Sequence, residues 1–337
     1  MEENLYKEEN IPDMLPAKKQ KRKLRPWQGI LFFVLVILAM IFICSTMQYY
    51  WGMAGLAATE LFLLCMSLLY VWILRADFKE VFPFRKLQLS PFFGTMLLWG
   101  AGYLLLMVLM VTLMYLFPEE YFSVSEGLSD FMQDTNPFVE FFVTAFMAAV
   151  CEEMVTRGVI QNSLYPLRNK WLIITLVGVM FGILHMDPIR FLPTAFLGGL
   201  MAYVVYETKN LLYGMLFHFL NNGFISVISL FQTGSVDESV DLLLEQPALI
   251  LMSLGSYMMM ACVAPFLLYT AAYLVRRGNS RGEKVTYLPA RGKGVVLTIL
   301  ISTTVLLLIG GLVLMVAIIL LHPEMLMDTV ESMKYAV

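Results

Sequence analysis

An all-α fold, a polytopic transmembrane helical bundle of about eight or nine spans, follows from three features of the 337-residue sequence. Hydrophobic residues make up 59% and charged residues 15%, against roughly 45–50% and about 25% in a soluble domain, and a soluble core cannot absorb that excess. Apolar runs long enough to cross about 30 Å of hydrocarbon recur along the chain. Basic and acidic residues alternate between the connections that join these runs.

A basic tail, 1–27, precedes the first run, 28–50, which is too long for a cleaved signal and has no small-residue cleavage pattern after it. Runs at 53–74 and 93–117 complete an N-terminal set of helices, 28–135. A central segment, 136–231, holds runs at 138–164, 171–187, 190–206 and 210–231. The two short runs in its middle read equally as a tight helical hairpin around Asp187-Pro188, which is why both eight and nine crossings stay open. Runs at 248–275 and 294–321 form the C-terminal set, 232–337.

Nine crossings with the N-terminus inside put 20 of the 23 Lys and Arg residues on one side, leaving Arg157, Arg190 and Lys334. The opposite connections are acidic, with Glu119, Glu120, Glu126, Asp130 and Asp134 in one and Asp237, Glu238, Asp241 and Glu245 in the other. This asymmetry predicts a cytoplasmic N-terminus and is compatible with a bacterial plasma membrane. The Lys/Arg run beside the first span reads as a topology or lipid-contact signal, not a nucleic-acid patch. Cys44, Cys65, Cys151 and Cys262 all fall in apolar runs with no paired spacing in a loop, so neither a disulfide framework nor a zinc ribbon is implied.

Ionisable side chains on spanning helices are costly and mark function. Away from the span ends they are Glu60, Glu152, Glu153, Arg157, His185 and His218. Glu60, about 10 Å from the end of its span at 1.5 Å per residue, reads as an interfacial or helix-bridging carboxylate. Glu140 lies at a span edge, and His322, after the last span, reads as interfacial. Glu153 and Arg157, four apart, share a helix face and suit an ion pair; Glu152 points about 100° away and stays free. A self-neutralising cluster explains one acid and one base but not the second acid. His185 follows Phe181 by one turn, and Asn222 follows His218 by one turn. Gly178 and Gly182 would let another helix approach closely and bring His185 toward Glu152.

Peptide hydrolysis needs an activated water, a group that carries its proton, and donors aimed at the oxyanion. Glu152 suits the general base, His185 a second holder of the water, and His218 with the Asn222 amide the oxyanion donors. Glu153 and Arg157 would fix the helix. A zinc site could use Glu152, His185 and His218 as three ligands with a fourth position open for water. No His-Glu-x-x-His signature is present, and the metal-free and metal readings both stand at this point. No serine stands beside either histidine in a nucleophile motif.

Glu152-Glu153-x-x-x-Arg157-Gly158, Phe181-x-x-x-His185 and His218-x-x-x-Asn222 resemble, in order and spacing, the three motifs of the CAAX-protease and bacteriocin-processing (CPBP) family of intramembrane proteases. The stretch from Gly198-Gly199-Leu200 through Glu207-Thr208-Lys209-Asn210-Leu211 also resembles the family's linking segment. The likeness covers about residues 136–231. Thr156 departs from the pattern, since many members carry an aromatic residue there, and is expected to touch packing more than chemistry. The resemblance implies a helical membrane core whose fourth, fifth and seventh helices build the site, and a type II CAAX prenyl endopeptidase-like activity. It also implies a membrane-embedded peptide or lipidated-protein substrate. It leaves a metallo- or glutamate-type mechanism open and admits a non-enzymatic bacteriocin-immunity or membrane-binding role as the alternative. A proton-coupled transporter would need matching repeats with broken helices, and none is evident.

Overall fold

The computed structural model describes residues 22–132, 135–229, 231, 243–279, 285–289 and 291–323. Most of the basic tail, Asp134, Asp237, Glu238, Asp241, Arg281, Lys284 and Lys334 lie outside the described residues. Within them, helices carry the architecture; no strand occurs, only an isolated bridge between Arg22 and Ala76.

Helix α1 (Pro26–Ala39) opens on a proline, whose missing N–H is spare in a first turn. It continues through a π turn, Met40–Cys44, into α2 (Ser45–Ile73). At Gly52 the chain leaves helical geometry, with φ 52° and ψ −128°, a conformation that residues bearing a Cβ rarely adopt. The two arms therefore fold back antiparallel: Gln48 reaches Thr59 at 3.2 Å, and the Tyr70 hydroxyl donates to the Gln28 carbonyl at 2.7 Å.

The short α3 (Phe78–Val81) and the long α4 (Leu89–Leu116) follow, then α5 (Pro118–Met132), with Glu119 and Glu120 in its first turn. Between 137 and 164 the pitch changes repeatedly: α6 (Pro137–Phe141), a π segment Phe142–Met147, α7 (Ala148–Glu153), a second π segment Met154–Ile160, and α8 (Gln161–Leu164). π segments are frequent at functional sites, and here they bracket Glu152 and Glu153.

Asn169 caps α9 (Lys170–Leu184) by accepting from the Leu172 N–H at 3.1 Å. Asp187 caps α10 (Pro188–Thr208), accepting from Ile189 N and Arg190 N at 2.8 and 2.9 Å. The tight hairpin around Asp187-Pro188 is thus present. Then come α11 (Leu211–Ser229), α12 (Pro247–Ala261), α13 (Ala264–Asn279) and α14 (Lys293–Leu321).

Five of these helical stretches are long and apolar enough to cross a membrane, or six if α12 and α13, bent by 44°, count as one span. The difference from the eight or nine read from sequence sits in particular segments. Residues 26–73 form one helical stretch turned at Gly52, the 137–164 run is divided by its π segments, and α9 has 15 residues. The outward face is apolar, with Phe42 70% and Leu306 70% exposed. Contiguous exposed apolar surface of that kind is suited to lipid tails. The protein is an integral membrane protein.

Basic residues and the turns that carry them gather at one end of the bundle. Lys23 pairs with Glu80 at 3.0 Å, Asn162 donates to the Glu80 carbonyl, and the Arg85 backbone is held by Asn210. Lys170 pairs with Glu207, and Lys209 lies over the Tyr165 ring, 3.6 Å from its centroid. The site lies deeper, where α7, α9, α10 and α11 converge.

Candidate active site

The floor of the site is the ion pair read from the sequence. Arg157 Nη1 donates to Glu153 Oε1 at 2.5 Å, and both side chains are fully buried. A guanidinium removed from water must engage its donors elsewhere. Nη1 also reaches Thr156 Oγ1 at 2.8 Å, Nη2 donates to the Gly198 carbonyl of α10 at 2.8 Å, and the group stacks 4.5 Å over Phe181. One turn on, Gln161 repeats the cross-helix contact by donating to the Ala202 carbonyl at 3.0 Å. Arg157 and Gln161 thus rivet this strip to α10 at two carbonyls four residues apart.

His218, on α11, stands between the two carboxylates. Its Nδ1 lies 3.2 Å from Glu153 Oε1 and its Nε2 3.9 Å from Glu152 Oε2. Glycine makes this approach possible, since a Cβ at Gly214, one turn before His218, would sit 2.5 Å from Glu153 Oε2. The Glu152 side chain keeps 25% of its surface exposed while that of Glu153 keeps none. Glu152 is therefore the acid of the pair that faces open space.

His185 ends α9. Its Nδ1 lies 3.0 Å from the Phe181 carbonyl, and because a carbonyl only accepts, Nδ1 carries the proton and a neutral ring offers Nε2 as an acceptor. Glu152 is within electrostatic reach of this ring. Phe181 packs edge-on to both histidines, with centroids 4.9 Å from His185 and 5.8 Å from His218. The glycines before His185 do admit a close neighbour, and it is the next helix: a Cβ at Gly178 would lie 2.7 Å from the Ala195 carbonyl, and one at Gly182 2.6 Å from that of Phe191.

Asn222, one turn beyond His218, donates through Nδ2 to the Thr144 carbonyl at 2.9 Å and accepts from Asn221 at 3.2 Å. One amide hydrogen is thereby committed to the first π segment. Thr156 is more than packing, for its hydroxyl donates to the Glu152 carbonyl at 2.7 Å while accepting from Arg157. For Glu60 the helix-bridging place, and not the interfacial one, fits its burial. Helix α2 turns it against α7 instead of leaving it at a rim, so it is 4% exposed, with Oε2 lacking a hydrogen-bond partner among the described residues, and within electrostatic reach of Glu152 and Cys151.

Gln161, Thr144 and Gly214 were not singled out from the sequence. Gln161 was within reach, four residues past Arg157 on the same face; the other two depend on which helices meet. Among the described residues, no group of three His, Cys, Asp or Glu side chains is arranged to hold a metal ion.

The fold and this interior define an all-helical membrane protein with a Glu–Glu–His cluster built across two helices and a second histidine at the end of a third, the kind of setting in which a water could be activated away from bulk solvent. Residues 134–224 match the family model described as type II CAAX prenyl endopeptidase Rce1-like. That domain contains every residue placed in the cluster except Glu60, and over it the chain is similar to CAAX-type intramembrane proteases. No curated protein and no solved structure matches the chain.

Proposed function

We propose that the protein is an intramembrane endopeptidase that cleaves prenylated or otherwise membrane-associated peptides with a water activated by Glu152 and His185. The observation that carries this reading is the meeting of a half-open Glu152 with His218 at 3.9 Å inside an apolar bundle. A water between Glu152 and His185 gives one hydrogen to the carboxylate and the other to the free Nε2, leaving its lone pair for the scissile carbonyl. Glu152 takes the proton as the C–O bond forms and returns it to the leaving amine as the C–N bond breaks.

The developing oxyanion is met by His218 and by the Asn222 hydrogen that Thr144 does not take. In its doubly protonated form His218 donates through Nδ1 to Glu153 and through Nε2 toward the site. Glu153, held by Arg157, orients that ring and is not itself consumed. Zinc on Glu152, His185 and His218 is the other reading of these side chains; bound there, it would supply a polarised water. The side chains do not converge as a ligand trio, and the steps above do not need one.

The prenylated-peptide preference draws on the family description and on a site enclosed by lipid-facing helices. We place the N-terminus in the cytoplasm of a bacterial plasma membrane, on the strength of the basic residues gathered at one end.

The test is cleavage of a fluorogenic prenylated peptide by purified protein, before and after chelation, with wild type, Glu152→Gln and His185→Ala. Cleavage that needs both residues and survives chelation supports the carboxylate mechanism. Activity restored only by zinc moves the histidines to ligands. Cleavage undiminished in Glu152→Gln sinks the assignment.

A further inference from the structure

The basic end of the bundle holds a feature that the proteolytic reading does not use. A cavity of about 60 Å³ opens between the 85–91 segment, the α10–α11 turn and the end of α13, lined by Arg85, Lys86, Gln88, Asn210, Tyr213 and Gly278 among others. No acidic side chain among the described residues lines it. Among the described residues neither Arg85 nor Lys86 has an ion-pair partner.

Basic residues at span ends are commonly mere topology signals, which need no fixed geometry. Here the backbone is locked. Asn210, 2% exposed, donates to the Arg85 carbonyl at 3.0 Å and accepts its N–H at 3.2 Å. The Tyr213 hydroxyl, on a residue 2% exposed, does the same for Gln88 at 3.1 and 2.7 Å. Leu211 N adds a bond to the Pro83 carbonyl at 2.9 Å. Five hydrogen bonds therefore hold the backbone that carries Arg85 and Lys86, two cations without an ion-pair partner among the described residues, at the mouth of the cavity.

The surroundings add to the positive field. Lys209 is within electrostatic reach of Arg85, and the nearby acid, Glu207, is already paired with Lys170. A planar Arg fork beside a Lys point charge suits a phosphate. On a scale of roughly 10–15 Å³ per water, the cavity has room for about four to six water-sized groups, enough for a phosphate but not for a whole headgroup. At the boundary between apolar spans and their basic connections, the phosphodiester of an anionic lipid is the abundant anion.

We propose that this cavity binds a phosphate group, carried by an anionic lipid, between Arg85 and Lys86. The rest of the headgroup and the acyl chains would lie outside along the exposed apolar face. The site is distinct from the Glu152 cluster and does not depend on the protein's being a protease.

The experiment is thermal unfolding of the purified, delipidated full-length protein in a zwitterionic detergent. It is titrated separately with short-chain phosphatidylglycerol, short-chain phosphatidylcholine and inorganic phosphate. The expected result is a saturable rise in Tm of at least about 2 °C with phosphatidylglycerol alone. Arg85→Ala/Lys86→Ala should lose that rise, while Lys79→Ala, on the same connection but outside the cavity, should keep it. A rise with inorganic phosphate as well assigns the site to the free anion instead of the lipid. A rise with phosphatidylcholine of the same size, or one retained in the double variant, overturns the proposal. Should the alanine pair fold poorly in detergent alone, Arg85→Gln/Lys86→Gln and the lipid phosphorus retained per protein through purification decide the same question.

Discussion

Glu153 and His218 meet at 3.2 Å through the same carboxylate oxygen that receives the Arg157 guanidinium. One buried acid therefore ties the π-helical strip of one span to a histidine on another, and leaves the neighbouring acid, Glu152, to face the open side. The division of labour between two adjacent glutamates rests on that contact.

Glu152→Gln keeps shape and removes the proton acceptor. Turnover of a prenylated peptide should fall by about 10²–10⁴-fold, with Tm within a degree or so of wild type, because this side chain is partly exposed and no buried charge is stranded. Steady-state kinetics beside a melting curve decides it; a fall in Tm that tracks the fall in turnover would argue for a structural role.

Arg157→Met should damage the fold before it damages the chemistry. It strands Glu153 without its cation, and removing one partner of a buried pair costs about 3–5 kcal/mol. Thermal unfolding in detergent should show the loss, and Arg157→Lys should recover little of it, since a lysine cannot reach Glu153, Thr156 and the Gly198 carbonyl together.

Gly214→Ala introduces a methyl 2.5 Å from Glu153 Oε2. Either α11 moves away or Glu153 rotates, and both displace His218. We expect a loss of about 1–3 kcal/mol in stability and a drop in turnover larger than the change in KM. An unchanged turnover would mean that the Glu153–His218 contact is dispensable.

Lys209 sits in a left-handed turn, φ 49°, over the rings of Tyr165 and Tyr206. Burial lowers it from the ordinary 10.5 to about 8, partly offset by Glu207. Because the folded value lies below the unfolded one, folding releases a proton across this window and the burial penalty is relieved as pH rises. The Tm of wild type relative to Lys209→Met should therefore climb between pH 8 and about 10. A difference that falls over that range would contradict the burial account.

Much of the site was legible because its chemistry violates the membrane's rules. Carboxylates, a guanidinium and histidines in apolar runs announce themselves, and the four-residue spacing of Glu153 and Arg157 was enough to pair them. Gln161 needed only the same spacing carried one step further. Glu60 stayed open between an interfacial and a helix-bridging place because depth along a helix says nothing about which face turns inward. Thr156 was undervalued because a threonine hydroxyl can serve either its own helix or its neighbour.

By itself the sequence determined the all-helical membrane character, the clustering of charge between apolar runs and the identity of the polar residues available for catalysis. These follow from local hydropathy and helical period, which act over a few residues. Only the tertiary structure decided that His218 lies between both glutamates, that Asn222 already spends a hydrogen on Thr144, and that the close neighbour of Gly178 and Gly182 is α10. Those outcomes depend on which helix faces meet and on how π turns and a left-handed glycine at Gly52 rotate them. Packing between distant segments sets such rotations, and no local pattern encodes them.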